Sequence, residues 1–249
     1  MDNTALLLAG IGIGIVFGLF GAGGSAFATP ILALVGVPGV AAVASPLPAM
    51  LPAALIGARR ALRAGALDTR MAGLAMAGGL PGAIVGALAS SLVGGQGLLL
   101  LSGVMLLGIG ARVLMPDPVD HATRCAARRN RTSIVLSASF VVGVLTGLLA
   151  NGGGFLLVPL FVVVFGLSSR QAAGTSMLAV GALTVPTLIT HSALGHVDWH
   201  VALFFALGML PGSLVGAQLG QRVSAERVRR AFGVVLLLFA GWFLVHQGF

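Results

Sequence analysis

Long apolar stretches, separated by short polar or glycine-rich breaks, follow one another from end to end of the chain. Ten are delimited, at roughly 4–20, 26–37, 40–58, 71–92 and 97–115, then 133–149, 155–167, 171–193, 199–220 and 231–247. Runs of this kind predict an all-α integral membrane protein of about ten membrane segments. The second and seventh hold only about a dozen apolar residues each, or roughly 20 Å of helix against a hydrocarbon core of about 30 Å. Each follows a glycine-rich turn, Gly21-Ala22-Gly23-Gly24-Ser25 or Asn151-Gly152-Gly153-Gly154, and each contains a proline. These two are predicted to be short, broken helices.

The pattern repeats at a spacing of about 130 residues. Leu80-Pro81-Gly82-Ala83-Ile84-Val85-Gly86-Ala87 returns as Leu210-Pro211-Gly212-Ser213-Leu214-Val215-Gly216-Ala217, and Gly65 and Asp68 return as Gly195 and Asp198. Gly23-Gly24 and Pro30 answer to Gly152-Gly153 and Pro159, while Ala41-Ala42 with Ser45 answers to Ala172-Ala173 with Ser176. The chain is therefore divided into a first membrane repeat, 1–115, a linker, 116–132, and a second repeat, 133–249. Five segments per half is an odd number, so the second half starts on the opposite side of the membrane. That is the inverted-topology repeat common among secondary transporters.

Charge supports this count. All fourteen basic residues are arginines. With the N-terminus outside and ten crossings, the clusters around Arg59 to Arg70, Arg112 to Arg131, Arg170 and Arg222 to Arg230 all fall on one face, as the positive-inside rule requires. Eight crossings would split them. Both termini are thus predicted to be periplasmic in a bacterial inner membrane, with the Arg-rich linker cytoplasmic. The first apolar run lacks a basic flank and a cleavage site, and is kept in the mature protein.

Composition narrows the function. A charged fraction of 8%, a hydrophobic fraction of 57% and a mean hydropathy of +1.06 exclude an ordinary soluble domain. The net charge of +8 lacks the interleaved aromatics of a nucleic-acid binder. One cysteine, Cys125, allows no disulfide framework, and no carboxylate or histidine cluster has metal-ligand spacing. No catalytic residue, metal or cofactor is predicted, since no G-x-S-x-G elbow appears.

A helix that starts inside a membrane exposes free N–H groups and the positive end of its dipole, and glycine lets an anion approach them. Two such starts entering from opposite faces converge on one cavity. Apart from Arg112 near the end of the fifth, no arginine or lysine falls within a predicted span, so a site there rests on backbone N–H groups, hydroxyls and amides. The candidate substrate-binding residues are Gly23, Gly24, Ser25, Ser45, Asn151, Gly152, Gly153, Gly154, Thr175 and Ser176. His191, near the end of the eighth segment and close in sequence to His196 and His200, is a candidate for proton coupling. Asp68 and Asp198 read as turn or capping residues. The expected partners are a small anionic substrate and the lipid bilayer, with no nucleic acid; the oligomeric state is open, a homodimer being one arrangement. A carrier of another small solute or a cation, and an intramembrane enzyme, stand as the alternatives.

The ordered set Gly152-Gly153-Gly154-Phe155-Leu156-Leu157-Val158-Pro159, Gly166-Leu167, Ala172-Ala173-Gly174-Thr175-Ser176, and His191 through Gly195-His196-Val197-Asp198-Trp199 resembles the TauE/SafE family of bacterial sulfite exporters and related anion permeases. The first half repeats the set in weaker form, so the likeness covers nearly the whole chain. The resemblance implies a secondary permease for sulfite or an organosulfonate, usually working as an exporter.

Overall fold

In a computed structural model the chain is described over residues 2–20, 25–115, 131–150, 153–222 and 225–248. Every regular element among them is helical. The order is α1 (Asn3–Phe20), α2 (Ala28–Leu34), α3 (Gly39–Ala44), α4 (Leu47–Arg63), α5 (Thr69–Leu114), α6 (Thr132–Leu149), α7 (Gly154–Pro159), α8 (Ser169–Ala193), α9 (Trp199–Arg222) and α10 (Ala225–Gly248). A π-helical turn, Leu160–Val164, continues α7. Among the described residues, six spans have the length and hydropathy to cross a membrane: Asn3–Phe20, Gly39–Arg63, Thr69–Leu114, Thr132–Leu149, Ser169–Ala193 and Trp199–Gly220. Ser25–Leu34 and Arg230–Phe243 are shorter apolar helices.

Three boundaries differ from the expectation. The 46 residues of α5 cover two predicted segments, and Gly94 (φ 73°, ψ 165°) interrupts the helical backbone between them. The predicted segment 40–58 divides at Ser45-Pro46, where the proline has no N–H to continue the ladder. Beyond residue 58, α4 runs on to Arg63, because arginine favours helix as strongly as the apolar residues before it. Arg59, Arg60 and Arg63 therefore lie on a helix that the apolar run alone did not reach, which corrects the reading that no span other than the fifth carries an arginine.

Glycines set the packing. Gly10, Gly14 and Gly18 of α1 press against the backbone at Phe205, Met209 and Ser213 of α9. In return, Gly208, Gly212 and Gly216 press against Leu7, Ile11 and Ile15. The first arm of α5 and α6 meet in the same way, with Gly78, Gly82 and Gly86 against Leu136, Phe140 and Val144. A Cβ at any of these glycines would enter a neighbouring backbone, so the helices approach as closely as small residues allow. Both pairs run parallel. At the centre α4 and α8 run antiparallel, with Gly57 against Met177 and Gly181 against Leu55.

The loops after α4 and α8 share one geometry. The Ala66 N–H donates to the Ala61 carbonyl at 2.9 Å, and the His196 N–H to the His191 carbonyl at 2.9 Å. Gly65 (φ 62°) and Gly195 (φ 71°) supply the left-handed residue that this helix C-cap needs. Asp68 then accepts from the Met71 N–H at 3.0 Å, and Asp198 from the Val201 N–H at 3.2 Å, which is the capping role expected of both. Leu8, Leu92, Leu203, Leu238 and Val245 are exposed on the outside of the bundle, a surface suited to lipid.

Candidate functional site

The best-defined break lies between α6 and α7. α6 ends at Leu149, Ala150 takes a left-handed conformation (φ 47°, ψ 26°), and Gly153 takes another (φ 71°, ψ −1°). A side chain at Gly153 would be strained by that φ and would collide with the Thr146 hydroxyl. The Gly153 carbonyl accepts from the Leu157 N–H at 2.9 Å and so begins α7, with Gly154 buried as its first residue. Ser25 is buried in the short turn that precedes α2. Gly23, Gly24, Asn151 and Gly152 lie outside the described residues.

The remaining hydroxyls are not gathered at one point. The Ser45 oxygen accepts from the Asp198 N–H at 3.0 Å, and the Thr175 oxygen accepts from the Asp68 N–H at 3.0 Å. Each ties the start of one central helix to the loop that ends the other. Because α4 and α8 are antiparallel, these two ties stand at opposite ends of the pair. Ser176 donates to the Ala173 carbonyl at 2.9 Å, within its own helix. All three hydroxyl side chains are buried.

Two further polar groups, Thr184 and Thr187, escaped the sequence reading and join His191. Thr184, Thr187 and His191 of α8 are fully buried and follow one another at three- and four-residue steps, which places them on one helix face. Thr187 donates to the Leu183 carbonyl at 2.8 Å, whereas the Thr184 hydroxyl has no hydrogen-bond partner among the described residues. Ser139 of α6 is buried in the same state. Buried hydroxyls without partners are uncommon and mark places where another polar group belongs. The signal was present in the sequence as three polar residues at helical spacing in an apolar helix.

His191 closes this face. Its Nε2 stands 2.9 Å from the Gly147 carbonyl oxygen, in the last turn of α6 beside the break. Its Nδ1 stands 3.1 Å from Nδ1 of His196, with ring centroids 5.2 Å apart. Burial holds the His196 imidazole, in the loop after α8, below the usual histidine range. At the opposite end of α4, Arg60 lines a crevice of about 10 Å³ with Phe17, Gly18, Gly57, Met177 and Ser213. That is room for about one water molecule and too little for an oxyanion in this crevice.

Comparison with known proteins shows the family to which the chain belongs. Residues 6–243 match the family described as sulfite exporter TauE/SafE. The chain is 31% identical over 238 residues to a "Probable membrane transporter protein" of Xylella fastidiosa, an alignment covering 92% of this chain and 89% of that one. It is 25% identical over 186 residues to YunE and 23% identical over 256 residues to YjnA, two proteins of Bacillus subtilis that carry the same description. These alignments cover 68% and 95% of this chain, and 67% and 97% of the relatives. No solved structure matches the chain.

Proposed function

Since the chain belongs to the sulfite exporter TauE/SafE family, we propose that it is a secondary transporter of a small anion, sulfite or an organosulfonate, working as an exporter by alternating access. The observation that carries this reading is the break at Gly153, where a helix begins beside the buried Thr146 and at the end of the polar face of α8. A helix start supplies N–H donors and about half a positive charge without any fixed cation, which suits a compact oxyanion. Ser25, at the start of the Ser25–Leu34 helix, is the counterpart in the first half.

The same reading takes the two halves as inverted repeats. Helix directions support it. α4 leads through a short loop into the first arm of α5, which runs parallel to α6, and α8 runs antiparallel to α4. α6 and α8 then point the same way, so α7 with its flanks carries the chain back across the bundle. By the same reasoning α1, parallel to α9, points the same way as α4, and the short helix α2 makes the return crossing. Ten crossings are consistent with these directions, and with the arginine clusters inside, both termini lie on the periplasmic face of an inner membrane and the linker in the cytoplasm. Cys125 decides this, because an impermeant thiol reagent applied to intact cells should leave it unmodified; ready labelling would reverse the topology.

Substrate is tested by thermal stabilisation of the detergent-purified protein with sulfite, sulfate, thiosulfate, sulfoacetate and taurine, and with a matched series of cations. Sulfite or an organosulfonate should stabilise the wild type. Ser25→Asp, which places a carboxylate at the start of the Ser25–Leu34 helix, and Ser176→Asp, which buries one on α8, should fold and lose that response. Full stabilisation of both variants would move the anion elsewhere, and stabilisation by cations alone would reject an anion carrier.

A further inference from the structure

The imidazoles of His191 and His196 occupy the two positions that Ala61 and Ala66 occupy in the loop after α4, and the two loops have the same backbone hydrogen bonds. Alanine is therefore enough to build this turn. The ring pair adds something other than the fold.

The hydrogen bonds fix where its protons lie. A carbonyl oxygen only accepts, so His191 must carry a proton on Nε2, facing Gly147. In the neutral ring its Nδ1 is then bare. Two bare nitrogens do not meet at 3.1 Å, so His196 must carry its proton on Nδ1 and present a bare Nε2 away from the pair. One added proton at that Nε2 is accepted without loss of any contact. The His196 Nδ1 proton shifts to His191 Nδ1, or stays, and the charge is shared across the same N–H···N bond. A second proton would set N–H against N–H and break the pair. The assembly thus has room for one proton only.

Its surroundings suit a positive charge. Gly147 is among the last four residues of α6, whose carbonyls lack intrahelical partners and carry the negative end of the helix dipole. α6 and α7, which pack on α8 here, bear no titratable side chain. Arg59, Arg60 and Arg63 of α4, Arg70 and Arg112 of α5, and Arg227 and Arg230 of α10 lie toward the other end of the bundle. The same loop holds Asp198, which caps α9, and His200 stands in the first turn of α9. The lowered titration range of His196 agrees with a neutral ring there in the absence of a counter-ion.

We propose that His191 and His196 form a one-proton binding site beside the α6–α7 break, and that the proton binds together with the anion held there. This rests on the anion reading above. The two ligands have opposite charge and each favours the other, so the coupling is reciprocal. The anion becomes the counter-ion that lets the partly buried ring pair charge, and anion affinity falls on the alkaline side of the pair's titration by up to about tenfold per pH unit for one linked proton.

The test is calorimetric titration of the full-length protein with methanesulfonate, whose charge is fixed at all working pH values, in two buffers of different ionisation heat. The difference counts protons taken up per anion. Wild type should take up about one near neutral pH. The double variant His191→Ala with His196→Ala, which copies the first-half loop, should bind the anion more weakly in acid and take up none. His191→Gln, which keeps a donor toward Gly147 but cannot hold the extra proton, should behave likewise. Anion binding by wild type without proton uptake overturns the inference and leaves the anion reading intact. Undiminished uptake in both variants places the proton elsewhere and also overturns it. If methanesulfonate and the anions of the stabilisation series all fail to bind while cations do, the anion reading falls and the proton site falls with it.

Discussion

α4 and α8 cross at the centre of the molecule, end in loops of one geometry, and each lends a hydroxyl to the loop that ends the other. Their buried faces nevertheless differ. Where α8 carries Thr184, Thr187 and His191, α4 carries Ala54, Gly57 and Ala61. Where α4 carries Arg60, α8 carries Thr190. The shared features are backbone contacts and caps, which only the fold requires. The differing features are polar groups buried at a cost that packing does not return. A duplicated frame with one-sided polar groups separates what holds the protein together from what it does.

The largest effect should be blind to the half that is altered. Gly86→Val and Gly216→Val each drive a side chain into a facing backbone and should each cost about 3 kcal/mol, enough to lose most of the folded protein. The yield of monodisperse protein in detergent measures this, and a clear difference between the two would break the equivalence of the frames. Gly153→Val should come next. The left-handed backbone costs a valine roughly 1–2 kcal/mol and the Thr146 side chain must turn aside, a smaller demand than the backbone clashes above, so the protein should still fold, while liposome flux should be lost because the break is filled. A folded variant with undiminished flux removes the break from the pathway.

The polar face gives smaller, one-sided effects. Thr184→Val replaces a hydroxyl that has no partner among the described residues by an isostere and should raise stability by about 1 kcal/mol. Flux should fall about tenfold, corresponding to about 1.4 kcal/mol on the barrier. The mirror change, Ala54→Thr, should leave the flux mechanism unaltered and only lower stability. A fall in both properties for Thr184→Val would make that threonine a packing residue. The smallest effect concerns pH. His196 titrates lower in the folded protein than in the unfolded chain, so the unfolded chain holds more protons between the two values. Without anion, the melting temperature should be highest above the ordinary histidine range of about 6.5 and should decline as pH falls through it. His196→Ala should flatten that decline, and an unchanged slope would assign the acid sensitivity to another group.

Much of this was legible because the repeat is written in packing residues. Gly82 and Gly86 match Gly212 and Gly216 since both sets meet a helix backbone, and contacts of that kind tolerate almost no substitution. The break at Gly153 was legible because a run of glycines offers the positive φ at which a helix can stop and another begin. The roles of Ser45 and Thr175 were not, since their partners lie 153 and 107 residues away and spacing along one helix says nothing about what faces it. Thr184 and Thr187 were hidden by the apolar residues between them, which dominate any window average. Arg60 was missed because the apolar run stops before the helix does.

The glycine seam between α1 and α9 has a consequence for biosynthesis. α1 is made first, yet the backbone it must meet ends at Arg222, some 200 residues later. At about 5–20 residues per second, that is roughly 10–40 s during which Gly10, Gly14 and Gly18 face lipid or an insertion factor instead of their partner. A nascent chain arrested before α9 should therefore hold α1 in a form accessible to crosslinking by lipid or chaperone, and release should close it within one step. Assembly of the first helix is a late event, set by the ribosome's progress and not by the hydrophobicity of α1 itself.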